Sequence, residues 1–241
     1  MQLLFTGTST LMQRKRQRTS KRILSLVFPS TSITIERGVS VKEILRPNYF
    51  QYSTSLRRHG HTTYLDGHLR TKSGNHPFDV ILSPLGFQQA AALKDKISGL
   101  GAEVILTSPL TRALQTLLNA VDFTQARRVE VCHLHTEHVS NSGDVGRPSS
   151  MLSREFPMLS FTGLEEVWWF SPKDAPNDPV MGVFRSRESM EHLRKRVGLF
   201  RQYLLSRPEN IIIVIGHSTF FKELSGRRKR MENCEMLTVK L

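Results

Sequence analysis

Residues 102–120, AEVILTSPLTRALQTLLNA, contain the pattern that decides the fold. The run AEVILT is apolar along most of its length, which is typical of a strand that is covered on both faces. Ser108 and Pro109 follow at once, and a serine followed by a proline is a common helix start. The apolar residues that come next recur at helical spacing. A buried strand that leads directly into an amphipathic helix predicts an α/β unit.

Strands and helices alternate in this way through residues 50–241. Apolar, strand-forming runs predict strands at 51–58, 102–107, 127–135, 210–216 and 235–241. Helical spacing with start and stop signals predicts helices at 83–97, 108–120, 187–206 and 218–226. We therefore expect an α/β domain, a three-layer α/β/α sandwich with a largely parallel central sheet. Residues 140–186 are rich in Pro, Ser and Gly and irregular, so we expect them to form a long insertion over the site.

Residues 1–49 form a basic leader that we leave outside the predicted domain. Ten of the 34 Lys and Arg residues, but only two of the 21 Asp and Glu residues, lie within residues 1–57. An arginine-rich and serine-rich segment with few acids resembles an organelle transit peptide, while a disordered extension or a nuclear address stays open. We expect the protein in the cytoplasm or, if the leader is a transit peptide, in a mitochondrion or plastid.

The remaining composition limits the partners. Residues 1–57 carry +8 of the formal net charge of +13, which leaves +5 for residues 58–241. This moderate balance favours anionic small molecules, and we expect no nucleic acid because no nucleic-acid motif accompanies it. No apolar run approaches the roughly 18 residues of a membrane span. Cys132 and Cys234 have neither metal nor disulfide spacing, which indicates a reducing compartment.

Four predicted strands lead into residues that could carry chemistry. Arg58 and His59 end the first strand, Arg112 lies in the first turn of the helix after the second, Glu137 follows the third, and His217 follows the fourth. Because ligands of open α/β sheets bind at the carboxyl ends of the strands, we expect these side chains to converge on one edge.

This set of residues suits phosphoryl transfer to and from histidine. A neutral imidazole can attack phosphorus and form a phospho-enzyme, and arginines can bind the charged phosphoryl oxygens. Arg112, at a helix start, would add free backbone N–H groups. A carboxyl group such as that of Glu137 could donate the proton to the leaving oxygen and later withdraw one from water. The scheme needs no metal and no cofactor.

Four segments, in this order, resemble motifs of the histidine phosphatase superfamily, the phosphoglycerate mutase-like enzymes with an Arg-His-Gly motif. The segments are RRHGHT (57–62), DVILSPLGFQQA (79–90), ILTSPLTRALQT (105–116) and IIIVIGHSTFFKELSG (211–226). The resemblance implies a phosphohistidine at His59, phosphate contacts from Arg58, Thr62, Arg112 and His217, and Glu137 as the proton donor. TEH at 136–138, with GDVGRP downstream, looks like the plant-type branch. Leu65 and His61 depart from the family pattern, which leaves the substrate class open.

What the resemblance implies is a phosphomonoester hydrolase that acts on an anionic phosphorylated small molecule or a phosphoprotein. A phosphoglycerate-type mutase is the near alternative, and it differs in having to keep water from the phosphoryl group. A phospho-ligand binding module with little turnover is a second alternative. The oligomeric state stays open.

A metal-dependent hydrolase is a third alternative. HLHTEH at 133–138 resembles the metal-binding His-x-His-x-Asp-His run of metallo-β-lactamase-like hydrolases. Alternation along the predicted strand would place His133 and His135 on one face, where they could share a metal ion.

Overall fold

The computed structural model describes residues 23–27, 31–36, 77–124, 128–229 and 232–239. In these residues the strands are β1 Ile23–Val27, β2 Thr31–Glu36, β3 Val104–Thr107, β4 Val129–Val131, β5 Ile211–Ile215 and β6 Glu235–Val239. The helices are α1 Pro84–Ala91, α2 Lys94–Ser98, α3 Thr111–Ala120, α4 Ser149–Glu155, α5 Met190–Ser206 and α6 Ser218–Ser225. Two short 3-10 turns lie at His133–His135 and Ser142–Asp144.

The strands form one sheet in the order β2-β6-β1-β5-β3-β4. Strands β1, β5, β3 and β4 run parallel to their neighbours in this series, and β6 runs antiparallel to β1. Thr107 at the end of β3 pairs with Ile215 at the end of β5. The residues that follow these two strands therefore emerge side by side at the carboxyl edge of the sheet.

Side chains of β3 and β5 alternate between two cores, one on each face of the sheet. Ile105, Ile213 and Ile215 pack with α3 and with apolar residues of the stretch 140–186. Side chains on the opposite face, Val104, Leu106, Ile212 and Val214, pack with α5 and α6. Both faces of the central strands are thus covered by helices. The predicted three-layer α/β/α sandwich with a largely parallel sheet is confirmed.

Local signals explain where the helices begin and end. Ser83 caps α1 by accepting a hydrogen bond from the Gly86 N–H at 3.2 Å. Gly226 ends α6 with a φ of 67°, a left-handed conformation that glycine adopts without a steric penalty.

The predicted helix 83–97 is divided into α1 and α2, and α3 begins at Thr111 rather than at Ser108. Asp79, not Ser108, caps α3, because its Oδ1 accepts the Thr111 N–H at 2.8 Å.

Two further expectations differ from the structure. The predicted strand 127–135 is wrong beyond Val131, because the chain turns there into the 3-10 turn His133–His135. Strands β1 and β2 belong to the leader that we left outside the fold, and β1 pairs with β5 in the middle of the sheet. The predicted strand 51–58 lies outside the described residues. Within the described ranges, no helix is long and apolar enough to cross a membrane.

Residues 140–186 are largely irregular, as expected, but they contribute to a core. They contain the 3-10 turn Ser142–Asp144 and α4, while Trp168 and Trp169 pack edge to face at 5.5 Å in the core on the α3 side. Asn177 ties this stretch together, because its side chain donates to the carbonyls of Phe170 and Ser186. The stretch is therefore a packed part of the same domain.

Candidate functional site

The structure describes three of the six predicted site residues. Arg112, Glu137 and His217 all lie at the carboxyl edge of the sheet, in the segments that follow β3, β4 and β5. Arg58, His59 and Thr62 lie outside the described residues.

Arg112 is a buried cation in the first turn of α3. It is 8% exposed, its Nη1 donates to the Gly143 carbonyl at 2.8 Å, and its Nη2 donates to Asp144 Oδ1 at 3.1 Å. Asp79 caps α3, the helix that carries Arg112. Its carboxylate accepts hydrogen bonds from both the backbone N–H and the hydroxyl of Thr111. The position of the guanidinium is therefore set from two sides, by the helix start and by the turn Ser142–Asp144.

His217 follows β5 and is 3% exposed. One ring nitrogen, Nε2, lies 2.7 Å from the hydroxyl oxygen of Ser108 at the end of β3. Burial, with smaller contributions from the charges of Arg112, His135 and Arg196, holds the pKa of His217 well below its usual value of 6.5. The imidazole is therefore neutral at pH 7 in the free protein.

Glu137 lies directly against the N-terminus of α6, the helix that follows His217. Its carboxylate accepts the backbone N–H of Thr219 at 3.2 Å and that of Phe220 at 3.3 Å. The free N–H groups and the dipole at a helix N-terminus favour a negative charge at this place. The acid, the histidine and the helix start thus belong to one edge of the site.

Arg196 of α5 fixes the loop that carries Glu137. Its guanidinium donates to the backbone carbonyls of Leu134, Thr136 and Glu137 and to the carboxylate of Glu188. Glu188 in turn accepts the Val139 N–H at 3.2 Å. Burial alone would raise the pKa of Glu188, but the hydrogen bond and charge of Arg196, with His192 and Val139, bring it below 4.5.

Sequence reasoning missed this support, although one signal was available. Arg196 lies three residues after Leu193 and four before Phe200, so a charged side chain falls on the buried face of α5. An arginine in such a place needs acceptors, which here are the carbonyls around Glu137.

The histidines of HLHTEH do not share a strand face, so that expectation is wrong. His135 is fully buried, with its ring 4.7 Å from that of Phe200 and its Nε2 3.2 Å from the Ile215 carbonyl oxygen. His138 Nε2 instead lies 2.7 Å from the Glu188 carbonyl oxygen. Among the described residues, no group of three or more His, Cys, Asp or Glu is placed to hold a metal ion. The metal-dependent alternative therefore loses the geometry on which it depended.

The sequence matches a known protein family. The family model of the histidine phosphatase superfamily (branch 1) matches residues 55–240. No curated protein matches the sequence. The family assignment rests on the family model, because it spans most of the chain.

Two solved structures are similar to this chain at low identity. A mycobacterial glucosyl-3-phosphoglycerate phosphatase complexed with VO3 is 18% identical, with a TM-score of 0.43, over 85% of this chain and 79% of that one. A phosphoserine phosphatase from Entamoeba histolytica, in complex with 3-phosphoglyceric acid, is 20% identical with a TM-score of 0.37, over 68% of this chain and 73% of that one.

Proposed function

The chain belongs to the histidine phosphatase superfamily and is an enzyme of the phosphatase class, and we propose that it hydrolyses phosphomonoesters through a covalent phosphohistidine at His59. In this proposal no metal ion takes part. Arg58, Thr62, Arg112 and His217 bind the phosphoryl oxygens, and Glu137 is the proton donor.

The observation that carries the proposal is the meeting of three anion-binding groups at the ends of β3 and β5. The buried Arg112 guanidinium, the neutral His217 imidazole and the N-terminus of α6 all lie there. Fixed cations and aligned N–H groups stabilise the charge that spreads over the phosphoryl oxygens during transfer. Entry of a phosphate dianion beside His217 would favour the protonated imidazolium, since opposite charges stabilise each other.

The proposed reaction has two steps. The His59 imidazole attacks phosphorus, the bond to the leaving oxygen breaks, and Glu137, which enters this step as the neutral acid, gives that oxygen its proton. Water then attacks the phosphohistidine, Glu137 takes a proton from it, and inorganic phosphate leaves with free His59 restored. The contact of Arg196 with the Glu137 carbonyl, at 3.3 Å, supports this proposal because it fixes the loop that carries the carboxyl group.

The proposed substrate is an anionic phosphorylated small molecule or a phosphoprotein, met in the cytoplasm or in an organelle. A mutase is the nearest alternative, in which an acceptor hydroxyl rather than water takes the phosphoryl group. The two differ in product: a hydrolase releases inorganic phosphate, and a mutase returns the phosphate to an organic acceptor.

The test uses the full-length chain, because β1 of the leader pairs with β5 in the sheet. We expect hydrolysis of an aryl phosphate that persists in EDTA, together with an acid-labile phospho-enzyme in quenched samples. His59→Ala should lose both the turnover and the phospho-enzyme while it remains folded. His68→Ala, a histidine in the same region with no proposed role, is the matched control and should keep both.

Other outcomes would contradict the proposal in distinct ways. Full activity of His59→Ala would refute the phosphohistidine. Turnover that EDTA abolishes, without a phospho-enzyme, would return the assignment to a metal-dependent hydrolase. Binding of inorganic phosphate with no turnover of any phosphomonoester would favour a phospho-ligand binding module.

A further inference from the structure

We propose that Asp144 is a positioning residue of the site: its buried carboxylate fixes the Arg112 guanidinium in the orientation that binds the phosphoryl oxygens. The inference rests on the proposed function, in which Arg112 contacts phosphate. Neither the sequence motifs nor the resemblance assigns a role to Asp144.

The first argument is the geometry of the contact. Asp144 Oδ1 accepts from Arg112 Nη2 at 3.1 Å, and the carbonyl of the adjacent Gly143 accepts from Arg112 Nη1 at 2.8 Å. Two neighbouring residues of one 3-10 turn therefore hold the two ends of the guanidinium fork. A fork held at both ends cannot rotate about its last bond, and its remaining N–H groups keep one direction.

The second argument is that Asp144 is itself held in place. Its other oxygen, Oδ2, accepts from the N–H and the hydroxyl of Ser140 at 3.2 and 3.0 Å and from Asn141 Nδ2 at 2.9 Å. Asn141 also caps the turn by accepting the Gly143 N–H at 2.8 Å. A side chain whose rotamer is locked by such bonds can orient a functional group more sharply than a free one.

The third argument is space. A Cβ added to Gly143 would lie 3.0 Å from Asn141 Oδ1 and 3.1 Å from Val80 Cγ1, so the turn is packed closely against its surroundings. The carbonyl that holds Arg112 Nη1 therefore has little freedom to move. The turn Ser142–Asp144 acts as a rigid clamp on Arg112.

The fourth argument is charge. The side chains of Arg112 and Asp144 are 10% and 11% exposed, and a buried arginine needs a carboxylate to offset its desolvation. Burial raises the pKa of Asp144, while the Arg112 charge lowers it and the Glu137 charge raises it. The pKa of Asp144 lies above its usual value of 3.8, because burial outweighs the opposing charge of Arg112. Asp144 thus lies within electrostatic reach of both the phosphate-binding cation and the proposed acid.

The test is a double-mutant cycle in the full-length protein with Asp144→Asn, Arg112→Ala and the double variant. Asn keeps an oxygen for Arg112 but loses the charge and places an amide N–H₂ against the donors of Ser140 and Asn141. We expect kcat for an aryl phosphate to fall about 10- to 100-fold, because a displaced group near the reacting atoms costs on this scale. KM should change less, since the positive charge that attracts the phosphate remains.

The cycle separates positioning from general damage. If Asp144 acts through Arg112, Asp144→Asn should have almost no further effect on kcat once Arg112 is alanine. Asp178→Asn, an Asp in an exposed turn of the same stretch, is the matched control and should retain wild-type kcat. Circular dichroism of each variant corrects kcat for the folded fraction. Wild-type kcat in Asp144→Asn, or an equal loss with and without Arg112, would overturn the inference.

A second readout keeps this inference apart from the proposed hydrolysis. Calorimetric titration with inorganic phosphate measures binding even if the wild-type protein turns nothing over. In that case two results together would support the clamp although the hydrolytic proposal has failed. The phosphate Kd should rise about tenfold in Asp144→Asn, and the Kd of the double variant should equal that of Arg112→Ala. An unchanged Kd in Asp144→Asn would overturn the clamp, and a wild-type protein that neither binds nor hydrolyses phosphate would overturn both.

Discussion

Acid should weaken the fold through His135, whose ring lies in the core beside the site. The imidazole is fully buried, its ring centroid lies 4.7 Å from that of Phe200 with the two planes tilted by 32°, and its Nε2 lies 3.2 Å from the Ile215 carbonyl oxygen. A Cβ on Gly216 would lie 2.9 Å from its Cδ2, so the ring supports the end of β5 immediately before His217. Burial lowers the pKa of His135 from 6.5 to about 3, with the Ile215 hydrogen bond opposing the shift and the charges of Arg196 and His133 adding to it.

The sign of the effect follows from this difference. Because the pKa is lower in the folded state, the unfolded chain binds the proton first, and the free energy of unfolding falls as the pH falls below 6.5. The loss continues until the pH reaches the folded-state value of about 3. Each pH unit in this window costs about 1.4 kcal/mol, so His135 alone should remove about 2 kcal/mol between pH 7 and pH 5.

Urea unfolding of His135→Gln and of the wild type, followed by circular dichroism at pH 7 and pH 5, measures this term. Glutamine does not titrate, and its amide N–H can still donate to the Ile215 carbonyl. The variant should lose about 2 kcal/mol less than the wild type between the two pH values. His217 is also buried and contributes to the acid loss of both proteins, so its effect cancels in the difference.

The design has a control and a clear refutation. Leu204→Ala removes a buried side chain that does not titrate, so it should lower the free energy of unfolding by the same amount at pH 7 and at pH 5. Equal losses of free energy in His135→Gln and the wild type between pH 7 and pH 5 would mean that His135 is not buried as a neutral ring.

Three further expectations follow from the structure. Gly198→Ala, in α5 with open space around the added Cβ, should stabilise the protein by about 0.5–1 kcal/mol, whereas Gly226→Ala, at φ 67°, should destabilise it by about 1 kcal/mol or more, both measured by urea unfolding. Asp79→Ala removes the cap of α3 and should lower the free energy of unfolding by about 1–3 kcal/mol, and a loss below 0.5 kcal/mol would contradict the capping role. Glu188→Gln should abolish the stability that the lowered pKa of Glu188 adds above pH 4.5. In denaturant titrations, the difference in free energy of unfolding between wild type and variant should be largest at pH 6 and should shrink as the pH falls below 4.5.

Features that depend on local sequence were predictable. The buried face of α5, with Leu193, Phe200 and Leu204, follows from helical spacing, and Gly226 marks the end of α6 because few other residues accept its left-handed conformation. Strand β5 follows from an apolar run too short for a helix of typical length. Each of these elements is decided by residues within a few positions of one another.

Features that depend on contacts between distant residues were not predictable. Asp79 caps a helix that begins 32 residues later, and Ser108, which has the local signature of a cap, is used instead beside His217. Residues His133–His135 alternate between polar and apolar side chains as a strand would. The chain nevertheless forms a 3-10 turn there, and the buried ring of His135 packs against Phe200. A pattern of alternation records which residues are apolar or polar, and it does not record which distant partner each side chain meets.

Two carboxylates contact the groups that the proposed function assigns to phosphate. Asp144 is bonded to Arg112, and Glu137 occupies N–H groups at the N-terminus of α6. These contacts offset the burial of a cation and satisfy donors at a helix end, because each unsatisfied charge or donor would otherwise cost free energy. The two carboxylates differ in how they are held. Asp144 is bonded on both oxygens by the turn that clamps Arg112, whereas Glu137 meets the backbone N–H groups that an incoming phosphate would also use. In the proposed function, phosphate would therefore replace the Glu137 carboxylate at the α6 N-terminus, while Arg112 keeps its partner Asp144.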